Sequence, residues 1–141
     1  MSGRLVYGPR QKYPHMIGED KIVWDRFVEK FPKRFESVDY DFRVGEGEKI
    51  LDELNENYQK MVKMLSQLRI DALGWNGEQP TIVEVKPRTV VSALGQLLGY
   101  RTLFVKEFTN IVAPELLMVC GVVSQDVLVV FQEHKIPIEV V

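Results

Sequence analysis

Arg69-Ile70-Asp71-Ala72-Leu73-Gly74-Trp75 and Thr81-Ile82-Val83-Glu84-Val85-Lys86 are two strand-like runs on either side of the turn-forming cluster Asn76-Gly77-Glu78-Gln79-Pro80. They predict an antiparallel hairpin. With 76–79 as the loop, Trp75 pairs with Pro80, and counting back along both strands brings Asp71 opposite Glu84. Alternation puts Glu84 and Lys86 on one face of the sheet and Val83 and Val85 on the other, and Pro87 holds Lys86 extended. Like charges directly opposite each other destabilise a hairpin by up to ~1 kcal/mol, so an offsetting positive group is expected. Two candidates are a divalent cation with hard oxygen ligands, magnesium or manganese, and the Lys86 ammonium. An exposed salt-bridged patch would also account for the three residues. Against that, Ile82, Val83 and Val85 on one strand and Ile70, Ala72 and Leu73 on the other place both strands inside the fold, where charges are rare unless paired or functional.

Outward from the hairpin, periodicity gives the rest. Ile22, Val23, Phe27, Val28 and Phe31 recur at helical spacing over 19–31, and Pro32 ends the run. Val38, Tyr40, Phe42 and Val44 alternate with Ser37, Asp39, Asp41 and Arg43, a half-buried strand whose aspartates read as its wet face, stopped by Gly45 and Gly47. A second helix over 47–66 carries Ile50, Leu51, Leu54, Tyr58, Met61, Val62 and Leu65 on one face. A long helix over 89–107, an apolar strand over 116–123, a short helix over 124–133 and a last strand over 136–141 complete the order. Helix, strand, helix, hairpin, helix, strand, helix, strand predicts an α/β domain with a mixed β-sheet flanked by helices. Residues 1–18, rich in Gly and Pro, read as an N-terminal arm ahead of one domain over 19–141.

The 141 residues are 45% hydrophobic and 27% charged, which excludes disordered and low-complexity classes. No apolar run approaches the ~18 residues of a membrane span, and the start lacks a signal-peptide core. The single cysteine, Cys120, excludes an internal disulfide framework and reads as a buried strand residue. A cytoplasmic protein that does not engage membranes is expected. A net charge of −2 gives no blanket affinity for polyanions, so nucleic-acid contacts would be local. Arg4, Arg10 and Lys12 cluster in the arm, and Lys30, Lys33 and Arg34 farther on.

Asp71, the twelve residues 72–83, Glu84-Val85-Lys86 and a following helix with Gln96 and Tyr100 together resemble the PD-(D/E)xK nuclease superfamily, in its RecB-like branch with a Gln-x-x-x-Tyr motif. The resemblance implies a restriction-endonuclease-like fold and metal-dependent hydrolysis of phosphodiester bonds in DNA. It implies that Asp71, Glu84 and the Val85 backbone carbonyl hold Mg2+ or Mn2+. It gives Lys86 the role of orienting water and stabilising the transition state, and Gln96 and Tyr100 that of shaping the site or touching nucleic acid. Ile70 stands where the family's name has proline, and the 47–66 helix is additional to a minimal core. That helix is a candidate lid or dimerisation element, and a homodimer is an expectation from the domain's small size.

At 100° per residue Asp20 falls with Phe27 and Phe31, which makes it the candidate third acid; its position near a helix start offers an N-cap role as the alternative. Gln96 and Tyr100 share a helical stripe with Ser92, opposite Leu94, Leu97, Leu98 and Val105, and Arg88 is a candidate phosphate contact. Gly95 and Gly99 suggest close helix packing. His15 and His134 have no ligand spacing and read as structural or solvated. The alternative function is a non-catalytic nucleic-acid-binding or assembly subunit on the same fold; the intact Asp71, Glu84 and Lys86 set argues against it.

Overall fold

The computed structural model describes residues 2–47 and 56–141. One six-stranded mixed sheet carries helices on both faces. In chain order the elements are β1 (Leu5–Val6), α1 (Gly18–Lys30), β2 (Ser37–Val44), α2 (Glu56–Ser66), β3 (Leu68–Asn76), β4 (Gln79–Thr89), α3 (Ser92–Glu107), β5 (Glu115–Val123), α4 (Gln125–Glu133) and β6 (Ile138–Val140). The strands lie in sequence order across the sheet. β1 to β4 run antiparallel, whereas β4–β5 and β5–β6 are parallel and need the crossovers through α3 and α4. β4 is therefore the seam between the two halves. Among the described residues no helix is long and apolar enough to cross a membrane.

The hairpin has the register that the sequence predicts, Trp75 against Pro80 through Ala72 against Val83. Its loop is tighter than expected, because Asn76 already pairs with Gln79 and only Gly77 and Glu78 turn the chain. Gly77, at φ +57°, supplies the backbone conformation that such a turn requires. β4 also runs on past Lys86 to Thr89. Pro87 is accommodated because the ladder with β5 skips it, and a Cβ on the facing Gly121 would lie 3.0 Å from the Pro87 carbonyl oxygen.

Two apolar layers cover the sheet. On one side α1 and the N-terminal segment bury Trp24, Phe27, Tyr7 and Tyr13 against Val38, Tyr40, Ala72, Val83 and Val85. On the other, α3 and α4 bury Leu97, Phe104 and Phe131 against Leu73, Trp75, Ile82 and Met118. The first eighteen residues are less irregular than their composition suggests. Leu5 and Val6 pair with β2, Tyr7, Tyr13 and Met16 are buried, and the Tyr7 hydroxyl donates to the Phe31 carbonyl at 2.7 Å.

Asp39 and Asp41 correct the reading of β2, since both are largely buried. Asp39 accepts from Arg4 Nε at 2.9 Å and from the Trp75 indole at 3.1 Å, which commits Arg4 to the fold. Gly95 and Gly99 open onto free space and mark no close approach. The first half of the expected second helix, with Ile50, Leu51 and Leu54, lies outside the described residues, as do the side chains of Met61 and Leu65. Gly74 lies directly against this core: a Cβ there would sit 2.6 Å from the buried Phe35 ring. Gly74→Ala should therefore lower unfolding stability by about 1–3 kcal/mol, the usual range for overpacking, read as a lower midpoint in urea at unchanged slope.

Candidate active site

The site forms where the regular ladder around β3 fails. β2 and β3 pair at Tyr40 with Ala72 and again at Phe42 with Ile70, skipping Asp41 and Asp71. Asp41 has φ +51°, a conformation unfavourable for a residue with a Cβ. On the other side, the β3–β4 ladder ends at Ala72 and Val83. Past that point the Asp71 side chain takes over from the backbone, its Oδ2 accepting the Val85 N–H at 2.8 Å. Each strand also changes face here, so that Ala72 packs towards α1 while Ile70 and Leu73 both pack towards α3. A carboxylate is thereby held at a fork in the sheet.

Glu84 lies beside it, its side chain only 2% exposed, with Lys86 Nζ 3.7 Å from its Oε1. Burial is the main force pushing the Glu84 carboxyl up, to about 9; the Asp71 carboxylate adds to it, while the Lys86 ammonium and the Tyr100 hydroxyl pull it back. Tyr100 feels the converse: its own burial, and the acids it faces, push its hydroxyl far above the ordinary value. Glu84 Oε2 is buried with no hydrogen-bond partner among the described residues.

Asp20 belongs to the same electrostatic neighbourhood. The N-cap position of α1 is Ile17, which has no side-chain capping bond, and Asp20 stands in the first helical turn. Burial raises its carboxyl, Lys86 lowers it, and Asp71 raises it further. The N-cap alternative for Asp20 is thus replaced by a position facing Asp71 and Lys86.

Tyr100 departs from its expected stripe. It is buried with Leu97 and Phe104, while Gln96 and Val105 are exposed, so the helix directs Tyr100 inward to Glu84 and leaves Gln96 at the surface. Arg88 is exposed as well, beyond the interruption at Pro87. His15, Arg43 and Arg69, which the sequence reading did not place in any site, gather around Asp41 on the strand adjoining Asp71. Their only sequence signal was the cost of an aspartate in a strand whose neighbours are buried.

No family model matches the chain, and no curated protein does. Among solved structures, that of an EndoMS-dsDNA2 complex is similar, with a TM-score of 0.51 over 95% of this chain at 12% sequence identity. The fold is restriction-endonuclease-like. The chain spans about half the length of that neighbour, 48%, so the likeness is one of architecture. In this sheet the fork at Asp71 and the β4 seam bring Asp71 beside Val85 and Lys86 beside Glu84.

The donor set fits a hard divalent cation on two counts. Asp71 and Glu84 are oxygen ligands of the kind magnesium and manganese take, and the buried, unpartnered Glu84 Oε2 is an acceptor the fold leaves unanswered. Three acids, Asp20, Asp71 and Glu84, face one ammonium, so the site is short of positive charge. Among the described residues no three His, Cys, Asp or Glu side chains already converge as a metal cluster, which leaves any further ligand to backbone or water.

Proposed function

We propose that this protein is a metal-dependent nuclease that hydrolyses phosphodiester bonds of DNA at the Asp71, Glu84 and Lys86 site. The observation that carries the reading is the buried Glu84 carboxyl, beside Asp71 and Lys86, with one oxygen unpartnered. A structural ion-pair network would satisfy that oxygen, because a buried acceptor without a partner costs about 1–3 kcal/mol. The similar fold of a protein solved in an EndoMS-dsDNA2 complex agrees with DNA as the substrate class.

Asp71, Glu84 and the Val85 carbonyl would hold Mg2+ or Mn2+, with Asp20 nearby to orient a bound water. When bound, such a cation supplies a water of lowered pKa and neutralises charge on the scissile phosphate. Asp71 is fixed for its part by the Val85 N–H, and Glu84 by the closed α3 layer that includes Tyr100. Lys86, half in solvent and tethered to Glu84, puts a positive charge where the phosphorane-like transition state gains negative charge. Gln96 and Arg88, both exposed, would be free to touch the substrate strand outside the reacting centre.

The test uses plasmid and single-stranded DNA with the full chain. Cleavage should require magnesium or manganese and stop in EDTA, and magnesium alone should raise the melting temperature, since a ligand that binds the native state stabilises it by mass action. Cleavage that persists in EDTA, or no cleavage and no thermal shift with either metal, would defeat the reading. Metal binding and DNA binding without any cleavage would favour the non-catalytic subunit instead.

A further inference from the structure

We propose that Arg43 and Arg69, arranged with His15 around Asp41, form a phosphate-binding subsite that grips the DNA backbone one strand away from the Asp71 and Glu84 pair. The proposal rests on the nuclease reading for its choice of ligand. Asp41 and Asp71 occupy the same step of the β2–β3 pair, the one step where the ladder is skipped, and neighbouring strands lie about 4.8 Å apart. The backbone at Asp41 is therefore one strand from the backbone at Asp71. Arg69 is also two residues from Asp71, and His15 five from Asp20.

The cluster is built, and its cations are not used up. Asp41, with a side chain 10% exposed, is held by His15 Nε2 at 3.0 Å on Oδ2. Both residues adopt left-handed backbone conformations, at φ 57° and 51°. Such conformations persist only where the surroundings enforce them, and they concentrate at functional sites.

The two guanidinium groups sit farther out, Arg43 Nη2 at 3.7 Å and Arg69 Nη1 at 3.6 Å from Asp41, beyond hydrogen-bond length. Arg43 Nε is buried with no partner among the described residues. Arg69 has only a 3.5 Å contact with His15 Nδ1. Two guanidinium charges against one carboxylate leave a net positive charge even with His15 neutral. Planar donor forks left uncommitted around a fixed anchor match the geometry of a phosphate diester. Asp41 is then a positioning residue that aims the arginines without neutralising them.

The test is the salt dependence of binding to a short fluorescein-labelled DNA duplex, read by anisotropy on the full chain, once with calcium and once in EDTA. Arg43→Gln and Arg69→Gln should each weaken binding and reduce the slope of log K against log salt by about 0.9, the value for one lost phosphate contact. Arg69→Lys should keep the slope. Melting temperatures measured alongside should stay near the wild type.

Unchanged slopes in both variants, a wild type that binds no duplex in either medium, or a drop in melting temperature with the slope retained would each overturn the subsite. The last result would make the cluster a structural ion-pair network. If Arg43→Gln fails to fold, Arg69→Gln, whose parent side chain is 42% exposed, carries the same test. Arginine-dependent slopes without metal-dependent cleavage would remove the nuclease reading and leave the subsite. Cleavage with arginine-independent slopes would do the reverse.

Discussion

Glu84→Gln is expected to melt at a higher temperature than the wild type in the absence of metal, and to cut DNA slower by several orders of magnitude. The two effects have one origin. The carboxyl is buried beside Asp71, so ionising it in the folded state is unfavourable and its proton is held up to about 9, against an ordinary value of 4.5. A raised folded-state value means that the stabilising contribution is complete below the unfolded value and is lost as pH rises through the folded one. Wild type should therefore lose stability relative to Glu84→Gln progressively between about pH 4.5 and pH 9, and the two should converge at the acidic end. The amide keeps the shape and removes the charge, but it is a poor ligand for a hard cation, so water activation and phosphate neutralisation go together. Thermal melts across pH and a cleavage time course check both halves. A variant that melts lower than the wild type at pH 8 without metal would show that the Glu84 charge is a net stabiliser, contrary to the geometry.

Lys86→Ala should separate in the opposite way. The ammonium is 3.7 Å from Glu84 Oε1 and its side chain is 40% exposed, so its removal leaves no large cavity and costs little in folding. The acids around it lose their one resident cation, and magnesium should raise the melting temperature at least as much as in the wild type. Cleavage should still fall by about 10²–10³-fold, the usual loss when a preorganised positive or donor group is taken from a developing oxyanion. Retained cleavage would show that Lys86 is only the partner of Glu84, and loss of the magnesium shift would show that it organises the ligands rather than the transition state.

The hairpin was legible because a two-sided constraint fixes it. A Gly-containing turn sets the pairing, and a slip of one residue would turn Val83 and Val85 out of the core. The outlines of α1, β2, β5 and α4 followed from apolar spacing for the same reason. What the spacing could not carry was the change of face at Asp41 and Asp71. Period-two reasoning assumes that alternation continues and that one face stays wet; a positive φ at Asp41 interrupts the alternation, and a second apolar layer covers the face that Asp39 shares with Trp75.

Spacing alone puts Tyr100 on a polar stripe of α3 and not on the buried face it occupies, because that helix is apolar on more than one side and an amphipathic ring can serve either face. Asp20 was the opposite case. The helical projection put it on the inward face, and the residues that make that position meaningful, Lys86 and Asp71, are far away in sequence and reach it only through tertiary structure. The Asp41 cluster shares that property, since His15, Arg43 and Arg69 come from three separate segments and none has a motif to announce it.

The position of β4 as the seam of the sheet also bears on when the site comes into being during folding. Its antiparallel side is a tight hairpin with a two-residue connection, a contact of short sequence separation that closes within microseconds. Its parallel side must wait for the chain to travel through α3 before β5 can dock, and such long-range closures dominate folding times. The hairpin alone would leave Asp71, Glu84 and Lys86, which lie beyond its last pair at Ala72 and Val83, in water and electrostatically ordinary. Only when α3 settles, and Tyr100 closes over Glu84, does the carboxyl acquire its unusual proton affinity. The reactive environment needs α3 as well as the hairpin, so partly folded chains that lack either should be chemically silent.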